Sequence, residues 1–191
     1  MTKGRLEAFS DGVLAIIITI MVLELKVPHG AEPAALAPLL PVFLSYVLSF
    51  VFIGIYWNNH HHLLQAVEHV DGRVLWANLH LLFWLSLMPF GTAWMGENDF
   101  AAWPTAIYGV DLLLCGTAYL VLTRSLIALH GAESVLASAV GRDVKGKASL
   151  LIYLAAVPVA FASAGLACAL YALVAILWLV PDRRIESTLT R

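Results

Sequence analysis

Charge is scarce in this sequence. Asp, Glu, Lys and Arg make up 13% of its 191 residues, about half the ~25% of an ordinary soluble domain. The hydrophobic share is 61% and the mean hydropathy is +0.84, more apolar surface than a soluble core can hide. Basic excess is missing as well: the net charge is −2 and the isoelectric point near 6.4, which removes nucleic acid as a partner. Only two cysteines occur, Cys115 and Cys168, both inside apolar runs. They read as buried thiols, with no disulfide framework and no metal motif. No His-Glu-x-x-His, serine-histidine or paired-carboxylate pattern is present, so no enzyme is expected. The apolar stretch after Arg5 runs on to Val27 without a small-residue cleavage site, the pattern of a span and not of a signal peptide. Residue 2 is threonine and the chain ends Leu189-Thr190-Arg191, so no lipid anchor is expected.

What is abundant is membrane-length hydrophobic sequence. A bilayer core needs about 20 apolar residues per helix, and stretches near 8–27, 37–57, 74–95, 103–127, 148–164 and 166–181 qualify. The expected fold is all-α: one multi-pass domain over residues 1–191 with six transmembrane helices. Between the last two stretches stand only Ala162-Ser163-Ala164-Gly165, so a very tight hairpin and a single kinked helix both stay open. Pro158 suggests a kink and not an end. Lys3, Arg5, Arg73, Arg124, Arg142, Lys145, Lys147, Arg183, Arg184 and Arg191 fall on one side of this six-span arrangement, and Lys26 alone on the other. The positive-inside rule then puts both termini in the cytoplasm, with the cell's inner (plasma) membrane as location and lipid as surroundings. Trp57, Trp76, Trp94, Trp103 and Trp178 lie near span ends, as aromatic belts do. The longest loop, about 129–147, has helical and charged character and is expected at the cytoplasmic surface.

The first span carries the most specific signal. Ionisable residues at a membrane helix are costly and usually functional, and Arg5-Leu6-Glu7-Ala8-Phe9-Ser10-Asp11-Gly12-Val13 holds one cation and two acids. At about 100° per residue, Ile16, Ile20, Leu23 and Val27 fall within about 60° of one another, with Gly12 and Thr19 at the edges. Asp11 lies about 140° from Ile16 by the same arithmetic and points back into its own subunit if the stripe faces a pore. Glu24, about 80° off the stripe, sits with Lys26 at the far end of this helix, as a cation-gathering mouth or a solvated helix end. Arg5, Ser10, Asp11, His60, His61, Asn78 and His80 gather near the cytoplasmic ends of the first three spans. Unpaired, each would cost several kcal/mol in hydrocarbon, so a shared hydrogen-bonded network is expected. The run His60-His61-His62 invites a metal reading, but consecutive helical residues point about 100° apart and cannot share one ion. No metal and no cofactor are expected. Asp111, inside the fourth span, has no partner evident in the sequence.

The run Arg5-x-x-x-Phe9-Ser10-Asp11-Gly12-Val13, continued by Ala15-Ile16, Thr19 and Leu23-Glu24, resembles the Arg-x-x-x-Phe-Ser-Asp signature of the transmembrane protein 175 family of potassium channels. Tyr46, Ser49-Phe50, Tyr56-Trp57, His60-His61, Asn78 and Pro89-Phe90 extend the likeness through the first half of the chain; the second half matches by hydropathy only. The resemblance implies a homotetramer of single six-helix repeats with the first helix around the axis. It implies a constriction of Ile16, Ile20 and Leu23 with a threonine layer at Thr19, and modest selectivity for potassium over sodium. The Thr-Val-Gly-Tyr-Gly filter is absent from that family and from this chain. An arginine, aspartate and histidine network anchoring the first helix is also a family feature. The stripe taken alone reads first as a helix packing face, as most such stripes are. A small proton- or cation-coupled secondary transporter, using Asp11, Asp111 and the histidines, is the competing function, although no interrupted helices in matching halves are visible. The permeant ligand on the first reading is potassium, among monovalent cations.

Overall fold

The computed structural model describes residues 2–179, and these form helices and short connections without a strand. The elements are α1 (Lys3–Leu23), a 3-10 turn (Pro33–Leu39), α2 (Leu40–Gln65), α3 (Gly72–Leu85), α4 (Met88–Glu97), α5 (Ala102–His130), α6 (Val135–Val140), α7 (Val144–Ala162) and α8 (Ala164–Leu179). The 3-10 turn runs into α2, and α3 with α4 forms one broken rod. The helical units therefore number seven among the described residues, six apolar rods and the short α6, where six were expected. Five rods are long and apolar enough to cross a membrane; α8, at 16 residues, is shorter and equally apolar. The extra unit is the 129–147 connection, whose Ser134 caps α6 by accepting from Ala137 N–H at 3.2 Å. Arg183, Arg184 and Arg191, counted in the charge asymmetry, lie outside the described residues, as does the end of the 166–181 stretch.

Element ends depart from the hydropathy limits for local reasons. α1 begins at Lys3 because lysine, arginine and glutamate favour the helix beyond the apolar zone. It stops at Leu23, with Glu24 as C-cap, so Glu24 ends the helix and Lys26 lies beyond it. α2 continues eight residues past Trp57, since Asn59 Nδ2 donates to Ile55 O at 2.8 Å and so satisfies itself within the helix. The α3–α4 rod breaks ahead of Pro89, which has no N–H to give and whose ring crowds the carbonyl of Leu85, the last residue of α3. α7 runs through Pro158 without ending. Of the two readings left open for its junction with α8, the tight hairpin is correct. Ser163 alone leaves the helix, in extended conformation (φ −159°, ψ 101°), and Trp178 Nε1 donates to Ser149 Oγ at 2.8 Å between the far ends of the two helices.

α5 is the hub, packed against α3, α4, α7 and α8, while α1 rests on α2, α3 and α4. In lipid this association depends on close packing and internal hydrogen bonds, because tails are as apolar as leucine. Gly96 shows the closeness: a Cβ there would stand 2.7 Å from Val42 Cα, so α4 and α2 touch by backbone. Cys115 is fully buried and Cys168 only half-buried; both are free thiols.

Candidate permeation face and its polar anchor

α1 has two unlike sides. Leu6, Ser10, Leu14, Ile17 and Met21, spaced three or four apart, are buried against α2, α3 and α4. The opposite side has no partner among the described residues: Ile16 is 59% exposed, Ile20 42% and Leu23 75%, and Thr19 is exposed beside them. Phe9, which the sequence reading did not place on this face, is 50% exposed. The spacing 9, 16, 23 is the signal that marks it, since seven residues return a helix to nearly the same angle. Thr19 Oγ1 donates to Ala15 O at 2.8 Å, so its hydrogen is turned to the backbone and its lone pairs are left outward.

Behind this face, three of the expected polar residues form one chain of hydrogen bonds with a determined direction. Ser10 Oγ donates to Leu6 O at 2.8 Å and therefore accepts from Asn78 Nδ2 at 2.9 Å. That leaves Asn78 Oδ1 as acceptor, so His60 Nε2, 2.7 Å away, carries the hydrogen. All three residues are buried, and they tie α1 to α3 and α3 to α2. The other expected members lie outside the chain. Asp11 is exposed and accepts from Trp57 Nε1 of α2 at 3.1 Å. His61 is exposed and stacks on Trp57, with ring centroids 6.4 Å apart and planes 20° apart. His80 accepts from Trp84 Nε1 at 2.8 Å. Arg5 is exposed and makes no ion pair among the described residues.

At the opposite end Glu24 is exposed, and Lys26 donates to Glu97 Oε1 at 2.6 Å, strapping the α1–α2 connection to the end of α4. The Glu97 carboxylate raises the lysine's pKa, so Lys26 stays charged through neutral pH and gives up its side of the strap only above that raised value. Such an exposed pair adds little to stability. In mid-bundle, Thr92 Oγ1 lies 2.6 Å from both Ser49 Oγ and Met88 O, and Ser49 Oγ is 2.9 Å from Tyr108 OH, which joins α4, α2 and α5. Sequence reasoning missed this hydroxyl cluster because serine, threonine and tyrosine scattered over three spans show no pattern until the spans meet. Asp111 is buried, and both its carboxylate oxygens lack a hydrogen-bond partner among the described residues. No group of three or more His, Cys, Asp or Glu among them could hold a metal ion.

A family model described as "Endosomal/lysosomal potassium channel TMEM175" matches residues 5–89, the stretch from α1 into α4 that contains both the bare face and the anchor. A potassium channel of Chryseobacterium sp. is 54% identical over 189 residues, covering 99% of this chain and 98% of that one. The endosomal/lysosomal proton channel TMEM175 of Mus musculus is 33% identical over 116 residues, which are 54% of this chain and 23% of the mouse protein. Among solved structures, a lysosomal potassium-selective channel TMEM175 homolog from Chamaesiphon minutus superimposes with a TM-score of 0.80 at 29% identity, covering 94% of this chain and 97% of that one. Fold and matches together define the class, a multi-pass membrane protein of the ion-channel kind and not an enzyme. The chain belongs to the TMEM175 family.

Proposed function

We propose that this chain is the subunit of a potassium-permeable cation channel in the cell's inner membrane, with residues 1–191 acting as one channel domain. Four copies surround an axis, α1 of each faces it, and both termini are cytoplasmic. The observation that carries this reading is the bare stripe Ile16, Thr19, Ile20 and Leu23 on a helix whose other side is fully packed. A ring of aliphatic side chains on an axis sheds water, so it closes by dewetting and opens with a small widening. Thr19, with its lone pairs outward, supplies oxygen beside that ring and replaces part of an ion's hydration shell. Potassium holds its water less tightly than sodium, so such a weak oxygen layer favours potassium by a modest margin. Glu24, exposed at the mouth, raises the local cation concentration. Ser10, Asn78 and His60 hold α1 in register from behind.

The names of the bacterial relatives support potassium as the permeant ion. Those of the vertebrate relatives favour a second reading, proton permeation along the same face. Recordings from purified protein in planar bilayers separate the two. A reversal potential that follows the potassium gradient and ignores a pH gradient supports the first reading; one that follows pH alone overturns it. Ile16→Asn tests the location. In a fourfold pore ring it admits water, and conductance or leak rises; at a packed interface it only costs assembly, and flux does not rise.

A further inference from the structure

Away from the stripe, at the end of the bundle that holds the start of α1, a groove of about 530 Å³ runs between the beginning of α3 and the last turns of α5. Lys3 Nζ donates to Val67 O at 3.0 Å, which places the α1 start and the α2–α3 connection at this same level. Arg73, in the first turn of α3, and Arg124, six residues before the end of α5, both line the groove and are exposed. Neither makes an ion pair among the described residues. The one acid in the groove, Asp71, is turned to the backbone, since its Oδ1 accepts from Val74 N–H at 2.9 Å. Further along α5, Leu120 and Val121 form an apolar wall about one turn deeper in the bundle.

The pattern is a pair of exposed cations at the edge of the apolar zone with a greasy track leading inward from them. Arg124 stands about 9 Å inside the end of its rod, where a guanidinium without an ion-pair partner among the described residues takes its counter-charge from the interface. The occupant whose chemistry matches both parts is a lipid with an anionic phosphate headgroup and an acyl chain. A free anion would leave the track unused, and a neutral zwitterionic lipid would leave charge uncompensated. We infer that the groove between α3 and α5 is a binding site for an anionic phospholipid, its phosphate held by Arg73 and Arg124 and one chain lying along Leu120 and Val121. The inference does not depend on which ion the channel passes.

Native mass spectrometry of the assembled, delipidated protein tests it, with phosphatidylglycerol and phosphatidylcholine added in equal amount. Wild type is expected to retain phosphatidylglycerol in preference. R73Q/R124Q is expected to weaken that retention about thirtyfold, roughly a factor of five for each interfacial arginine. Arg142→Gln, in the α6–α7 connection, leaves it unchanged. Unaltered retention in R73Q/R124Q overturns the inference, and so does full displacement of the lipid by millimolar inorganic phosphate, which would make the site one for a free anion. If the double variant does not assemble, R124Q alone decides: a loss of about fivefold supports the site, and no loss overturns it.

Discussion

The indole of Trp57 on α2 donates its Nε1–H to Asp11 Oδ1 on α1 at 3.1 Å. The aspartate of the Phe-Ser-Asp motif is thereby tied to its own subunit, about 140° around α1 from Ile16 and away from the bare face. Trp57→Phe keeps a ring at this position and removes only the donor. We expect a loss of about 0.5–1.5 kcal/mol in subunit stability, read as a lower midpoint in thermal unfolding in detergent, with the potassium to sodium permeability ratio unchanged. A changed ratio at unchanged stability would move Asp11 into the permeation path.

Asn78 is the middle link of the anchor, accepting from His60 and donating to Ser10. Asn78→Leu fills the space but strands the buried His60 N–H, while Ser10 keeps its bond to Leu6 O. The expected cost is about 1–3 kcal/mol, seen as reduced assembled oligomer on size exclusion. Ser10→Ala strands the buried Asn78 Nδ2–H in the same way, so a loss in the same range, about 1–3 kcal/mol, is expected. Unchanged assembly in both variants would refute the directed chain.

Thr19→Val nearly conserves shape and deletes the hydroxyl. The expected outcome is a lower potassium to sodium permeability ratio under bi-ionic conditions, with assembly intact. A ratio that does not move would take Thr19 out of the selectivity layer.

Topology follows from charge. Fusion reporters at either terminus should be cytoplasmic and one at Glu97–Asp99 external, because in the six-span arrangement Lys26 stands opposite the other ten Lys and Arg residues. An external C-terminal reporter would exclude an even number of crossings.

Hydropathy alone was enough to declare a polytopic helical protein, because each span must satisfy its own backbone in lipid and so announces itself as a long apolar run. The stripe Ile16, Ile20, Leu23 was legible for the same local reason: helical period sorts residues by face before any tertiary contact exists. The motif around Phe9-Ser10-Asp11 marked the family.

The tertiary structure decided what no period encodes. Seven polar residues near one end of three spans were expected to share a network, yet the packing of α1, α2 and α3 selects Ser10, Asn78 and His60 for the buried chain and sends Asp11 to Trp57. Which hydroxyls meet in the Ser49, Thr92 and Tyr108 cluster, and that Ser163 closes a hairpin, depend likewise on how rods dock. Sequence determines the direction a side chain takes from its own helix. Partner choice needs a second helix at a particular height and rotation, and those are set by close packing such as Gly96 against Val42, summed over contacts far apart in the chain.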